Sequence, residues 1–314
     1  MSLLAINQFL KTHSIILGEG ALIERLRRDS PFDLDEQVVN SAFIYDPEKR
    51  EAMASIYRQY LAIGLEHKLP MLLSTPTWRS GRERIELAGL VGRDLNRDNY
   101  QFMDELRREQ GAYAEQIIIC GLLSCKGNAY RPDEALSRSE ARQFHRWQAE
   151  KLAATDCDFI MAATLPALSE ATGLAEALAA TEKPYVVSFV LRRTGTLLDG
   201  TPLKEAIATI DATVSPPPLA YMANCTHGKI FRTALQHPDN SDEKARGRVI
   251  GLLANTANLE PEELDERSEL VGEDPEIFGQ ELASLHQDFG TAILGGCCGT
   301  DQRHIAALAR ALTG

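Results

Sequence analysis

The sequence predicts an α/β fold, a (β/α)8 TIM barrel with parallel strands, running as one domain over residues 1–314. Three observations lead there. Eight short aliphatic or β-branched runs are spread along the chain, longer stretches of helical spacing separate them, and the runs are apolar throughout rather than alternating. Strands covered on both faces read as continuous apolar runs, the pattern of parallel sheets. β-then-α units repeated eight times close into a barrel. An open doubly wound sheet is the competing arrangement, and the count of eight favours closure.

The candidate strands come in order. Ser14–Leu17 ends at Gly18, and Met71–Ser74 ends at Thr75–Pro76. Gln116–Leu123 (QIIICGLL) and Asp158–Ala162 (DFIMA) follow, and Tyr185–Leu191 (YVVSFVL) is the strongest strand signal. Leu219–Ala223, Val249–Leu253 and Thr291–Leu294 complete the set. Between them, Pro47–Lys68 places Met53, Ile56, Tyr57, Tyr60, Ile63 and Gly64 at helical spacing. Ser139–Ala154, Ser169–Ala180 and Asp301–Leu312 read the same way, the third helix lying between Pro166 and Pro184. The acidic stretch Glu260–Leu282 reads as a solvated loop and helix.

Composition bounds the function. The chain is 44% hydrophobic and 25% charged, an ordinary globular balance. A net charge of -12 disfavours nucleic acid, whose phosphates call for Lys and Arg, and equally disfavours anionic membrane surfaces. No apolar run reaches the roughly 18 residues of a membrane span. The first residues lack a basic segment ahead of a long apolar one, and Asn7, Gln8, Lys11 and His13 interrupt them. The expected compartment is the cytoplasm. The expected partners are small molecules, and assembly into a homo-oligomer is compatible with the sequence.

Six cysteines are present: Cys120, Cys125, Cys157, Cys225, Cys297 and Cys298. A reducing compartment points away from disulfides and toward metal or catalysis. The sharpest local feature is LGGCCGTD, Leu294–Asp301. Its glycines permit a tight turn after a strand, and in a bent turn two adjacent sulfurs can converge on one metal. MANCTH supplies a third sulfur, Cys225, directly after another candidate strand. Strand C-terminal ends share one face of a barrel, where active sites are built. Three thiolates suit tetrahedral Zn²⁺ and leave a fourth position for substrate or water. A redox role competes, but adjacent cysteines lack the C-x-x-C spacing of dithiol oxidoreductases. Cys120 and Cys157 read as small buried hydrophobes, and so does Cys125 although it follows a strand. His227, two residues beyond Cys225, reads as a neighbour of the site or a surface group rather than a ligand.

The pattern N-C-T (Asn224–Thr226) followed by G-G-C-C-G-T (Gly295–Thr300) resembles the homocysteine S-methyltransferase family. Weaker similarities fall in the same order: LGEGALIE (Leu17–Glu24), SFVLRRTGTLLDGTPL (Ser188–Leu203) and ANTAN (Ala254–Asn258). The resemblance implies a zinc-dependent (β/α)8 enzyme with Cys225, Cys297 and Cys298 as ligands. It implies that a substrate thiol loses its proton on binding Zn²⁺ and attacks the methyl group of a small onium donor. It also implies substrate contacts from Glu19 and Gly20 in the first motif, with Glu19 pairing the amino group of the thiol amino acid. Asn224 reads as fixing its loop or contacting substrate.

The sequence departs from the family at one place. The family's strand-four segment carries Glu, and here MAATLPA puts Ala163 there, which makes a thiol other than homocysteine an open alternative. Trp78 could line the donor side through cation–π attraction; Arg79 beside it would repel an onium group but could pair with a donor carboxylate. Tyr130 reads as a packing residue, Asn255 as a loop or substrate contact, and Thr300 and Asp301 as caps of the last helix. Two other function classes stay open: a zinc- or thiol-binding barrel without transferase activity, and a zinc hydrolase.

Overall fold

The computed structural model describes residues 3–265 and 272–314. Eight parallel strands close into a barrel in sequence order: β1 (Ile16–Gly18), β2 (Met71–Ser74), β3 (Ile117–Ser124), β4 (Phe159–Leu165), β5 (Tyr185–Phe189), β6 (Ala220–His227), β7 (Val249–Asn255) and β8 (Ile293–Gly296). The barrel expected from the apolar runs is the fold observed. Each strand is buried on both faces. Ile16, Leu72, Ile118, Phe159, Met161, Val186, Met222 and Ile293 pack together in one apolar cluster. Alternate residues such as Leu17, Leu73, Ile119, Ile160 and Leu252 belong to a second cluster shared with helical residues, among them Met53, Tyr60, Leu174 and Leu308. Two buried faces remove any reason for polar alternation, which is why the strands read as plain apolar runs.

The helical stretches fall within a residue or two of their expected limits. Pro47–His67 starts on the Asp46 cap, whose carboxylate accepts from the Glu48 and Lys49 amides, and stops at left-handed Lys68. Arg138–Ala153 begins one residue before Ser139, because Ser137 is the capping residue in a reciprocal pair with Glu140. Leu168–Ala179 and Gln302–Thr313 complete the expected set. The helix Leu3–Thr12 was not anticipated. Its Ile6 is fully buried against the apolar cluster with Phe9 and Leu10 beside it, at the end of the barrel where the strands begin. The acidic stretch divides into helices Pro261–Asp265 and Pro275–Phe289, and its residues 266–271 lie outside the described residues. No helix among the described residues is long and apolar enough to cross a membrane.

One closure positions the site. β1 is three residues long and pairs with β8 through Ile16–Ile293 and Leu17–Leu294. A Cβ on Gly295 would lie 2.6 Å from the Gly18 Cα, so glycine lets first and last strands approach beyond that register. The Gly296 amide then donates to Glu19 O at 2.8 Å. The chain after β1 and the cysteine turn after β8 are thereby joined.

Candidate metal centre

β4, β6, β7 and β8 extend further toward their C-terminal ends than the apolar runs suggested, whereas β5 stops at Phe189, two residues short of its run, and the site is built from the extensions. β6 continues through Asn224, Cys225, Thr226 and His227, so Cys225 lies inside the strand rather than after it. The register with β7 shifts between Asn224 and Thr226, and Cys225 takes a φ of 51°. This is a β-bulge, which re-aims a side chain that regular pleating would place differently. A second irregularity interrupts β4 between Ala162 and Leu165, where Thr164 has a φ of 60°.

Asn224 ties the two irregularities together. Its Oδ1 accepts from the Thr164 amide at 2.8 Å and from Ser188 Oγ at 2.7 Å. Its Nδ2 donates to Thr164 Oγ1 at 2.8 Å and lies 3.4 Å from Cys225 Sγ. Asn255 Nδ2 donates to Cys225 O at 3.0 Å. Left-handed backbone in non-glycine residues costs about 1–3 kcal/mol each and persists only where the surroundings hold it. Here that hold is the Asn224 amide, whose polar atoms are engaged by the scaffold.

The other two cysteines sit in the turn after β8. The Cys297 amide donates to Ala254 O at 2.7 Å, and Cys298 O accepts from the Thr256 amide at 3.1 Å. The Glu24 carboxylate accepts from the Gly299 amide. Gly299 has a φ of 85°, and a Cβ there would strike Thr256. Thr300 does not cap the last helix as expected. Its Oγ1 accepts from the Ala21 amide at 2.9 Å and donates to Cys297 O at 2.7 Å, leaving Asp301 as the cap.

The three cysteines meet. Their sulfurs all lie within 4.8 Å of one another, with Cys225–Cys297 at 2.8 Å and Cys297–Cys298 at 4.0 Å. Sulfur–sulfur hydrogen bonds, some raising and some lowering, combine with burial and mutual repulsion to hold all three thiols well above their ordinary range. The principal charges acting on them are each other's and, for Cys298, that of Glu24, all negative. A trio of soft donors that cannot ionise together without a nearby cation fits a Zn²⁺ ion.

A cavity of about 630 Å³ opens beside the sulfurs. Glu19, Gly20, Trp78, Ala163 and Asn224 all line it together with the cysteines. Glu19 is buried and accepts from the Ser74 amide through Oε1 at 3.1 Å, while its Oε2 has no partner. Burial pushes its carboxyl up to about 8, against the lowering effect of Ser74. Gly20 is required by Tyr60, whose Oη would lie 2.7 Å from a Cβ there. Trp78 stacks under Arg79, with the guanidinium 4.3 Å from the ring centre. Arg79 donates to the carbonyls of Cys125, Lys126 and Gly127.

Other expectations resolve individually. Cys120, Cys125 and Cys157 are buried and outside the sulfur cluster. His227 is a buried cap, not a ligand: its Nδ1 accepts from the Lys229 amide and its Nε2 lies 3.2 Å from Glu273. Tyr130 corrects the packing expectation. It lines the cavity, and the charges raising its hydroxyl, after burial, are those of Cys225, Cys298 and Cys297. Its position in a long loop after β3 hid it. Glu24 was also passed over, although it falls inside the first motif at the start of the Ile23–Asp29 helix.

Fold and site together define a class: a (β/α)8 barrel with a three-thiol centre at the C-terminal ends of its strands. Comparison with known proteins places the chain within it. The family model described as homocysteine S-methyltransferase matches residues 16–312. Homocysteine S-methyltransferase YbgG of Bacillus subtilis (strain 168) is 24% identical, over 98% of both chains. Homocysteine S-methyltransferase of Escherichia coli (strain K12) is 31% identical over 60% of this chain and 58% of its own. The metallated form of the Escherichia coli homocysteine methyltransferase MmuM superposes with a TM-score of 0.75 at 22% identity, covering 97% of this chain and 99% of that one. The chain belongs to the homocysteine S-methyltransferase family, and it is an S-methyltransferase.

Proposed function

We propose that this chain transfers a methyl group from a small onium donor to the sulfur of homocysteine or a closely related amino thiol. The observation that carries the reading is one cavity holding both three converging thiols and a buried carboxylate oxygen without a partner. When bound, Zn²⁺ held by Cys225, Cys297 and Cys298 supplies the positive charge that keeps a substrate thiol deprotonated at neutral pH. Everything else is the work of the chain. Glu19 accepts the substrate ammonium through its free Oε2. It is the one buried carboxylate lining the cavity among the described residues, so with Ala163 in β4 the amino group depends on it. Asn224 holds Cys225 in its bulge. Gly20 brings the backbone against Tyr60. The apolar walls, Met161 and Leu253 among them, exclude water and align donor with acceptor. In the transfer a new carbon–sulfur bond forms on the acceptor, the donor's bond to that methyl breaks, and the donor leaves neutral with the electron pair. With homocysteine the product is methionine. Trp78 and Tyr130 supply aromatic surface to the donor side.

The test uses zinc-loaded protein with homocysteine and either S-methylmethionine or betaine, following methionine formation. X-ray absorption at the zinc edge is recorded with and without thiol. Turnover, and a further sulfur at the metal on adding thiol, are the expected results. No added sulfur with any amino thiol would overturn the reading. Cys298→Ala should lower zinc affinity by more than 100-fold, measured by competition with a chelator, and unchanged affinity would overturn the ligand assignment.

A further inference from the structure

The cavity wall holds a charge arrangement that methyl transfer to an amino thiol leaves unused. Arg79 Nη1 donates to Lys126 O at 2.7 Å, and Arg84 Nη2 donates to the same oxygen at 3.4 Å. The two guanidinium nitrogens are therefore at most about 6 Å apart. Arg79 gives further bonds to Cys125 O and Gly127 O, and Arg84 gives one to Gln37 O. Every one of these acceptors is a neutral carbonyl. Among the described residues neither arginine makes an ion pair, whereas Arg50, Arg58, Arg107, Arg138 and Arg232 each do. The carboxylates acting on Arg79 are engaged elsewhere: Glu134 with the Asn128 amide at 2.8 Å, and Glu170 with the Lys126 amide and His145 Nε2, both at 2.8 Å. Burial and the Arg84 charge both lower the Arg79 pKa, though acidic neighbours oppose them. Two like charges this close in a half-buried wall repel unless an anion sits between them.

Both arginines line the cavity that holds the thiols, and stacking on Trp78 fixes the orientation of one of them. We propose that Arg79 and Arg84 form an oxyanion-binding end of the substrate cavity, taking the carboxylate of one of the two substrates away from the transferring methyl. The guanidinium fork matches a carboxylate in two parallel hydrogen bonds. The inference rests on the methyl-transfer reading for its substrates, and it gives that reading a second recognition point besides Glu19.

The test removes the carboxylate from each substrate in turn. Homocysteine is compared with 3-aminopropane-1-thiol, and S-methylmethionine with its decarboxylated sulfonium, in the wild type, Arg84→Gln and Arg84→Lys. One of the two removals should raise KM about tenfold or more in the wild type, the loss expected for a charged hydrogen-bonded pair. That penalty should fall below about threefold in Arg84→Gln and be partly kept in Arg84→Lys. A collapse in the thiol pair places the carboxylate on the acceptor, and a collapse in the sulfonium pair places it on the donor. A penalty undiminished in Arg84→Gln, or none in the wild type, overturns the proposal. A second measurement does not need turnover. In a Trp147→Phe background Trp78 is the sole tryptophan, and succinate should change its emission saturably, with about tenfold weaker binding after Arg84→Gln. No saturable change overturns the anion site. Succinate binding without any methyl transfer supports the anion site and overturns only the methyl-transfer reading.

Discussion

The two ends of this barrel are made from the same strands and obey different rules. At the end where the strands begin, the one break in register lies between Tyr221 and Met222, no described strand residue has left-handed backbone, and the filling is apolar: Ile6 from the first helix belongs to one cluster with Ile16, Phe159 and Ile293. At the other end, β4 and β6 are bulged, Thr164 and Cys225 have left-handed backbone, and the side chains are polar and hydrogen-bonded to one another. The first end gains from burial, about 25 cal/mol for each Å² of apolar surface. The second gives up regularity to aim sulfurs and leaves one carboxylate oxygen unpaired. Stability and chemistry are thus separated along the barrel axis.

Substitutions at the two ends should separate accordingly. Ile6→Ala is expected to cost roughly 3 kcal/mol of folding stability through a cavity at the closed end. Urea unfolding measures that loss, while zinc affinity by chelator competition stays within about twofold. A comparable loss of zinc affinity would show that the ends are coupled.

Glu19 gives the next effect, and its sign is specific. A carboxyl near 8 in the folded chain and near 4.5 otherwise keeps its proton in the folded state over that interval. Its contribution to stability is full below about 4.5 and is lost as pH rises through 8. Between pH 6 and 8 the metal-free wild type should therefore lose roughly 2 kcal/mol relative to Glu19→Gln. Parallel stability profiles for the two proteins would contradict this. Binding of an ammonium substrate at neutral pH should expel the Glu19 proton, which calorimetry in buffers of different ionisation enthalpy detects.

Asn224→Ala has the most local expected effect. Releasing the clamp between the Thr164 and Cys225 bulges should weaken zinc binding by roughly 10- to 100-fold, the range for groups that orient a metal ligand. Apolar packing at the closed end should be untouched. Equal zinc affinity in Asn224→Ala would mean that the Asn255 bond to Cys225 O holds the bulge without the clamp.

Legibility followed the same division. The apolar runs marked all eight strands, because burial on both faces leaves an uninterrupted signature. They stopped short in β4, β6 and β7, whose last residues include Thr164, Asn224, Thr226 and Asn255. Polar residues end an apolar run in a sequence, but in the barrel they satisfy one another and the strand continues. Ser137 was missed as a cap for a related reason: Ser139 offered the same chemistry two residues later. Tyr130 read as packing, and Glu24 was not singled out within the first motif, since a tyrosine in a long loop and a glutamate in a first helical turn are ordinary features.

What the sequence determined by itself is the barrel, through eight uninterrupted apolar runs separated by helical spacing, and the cysteine triad, because three sulfurs flanked by strand and glycine signals have few other uses. Glu19 and Gly20 were also marked. Only the tertiary structure decided which groups remain unpaired: Glu19 Oε2, and the Arg79–Arg84 pair resting on one carbonyl oxygen. It also showed how Asn224, which lines the cavity, fixes the strand ends around Thr164 and Cys225. Pairing is a property of distance between residues far apart in the chain, and neither composition nor local spacing encodes it.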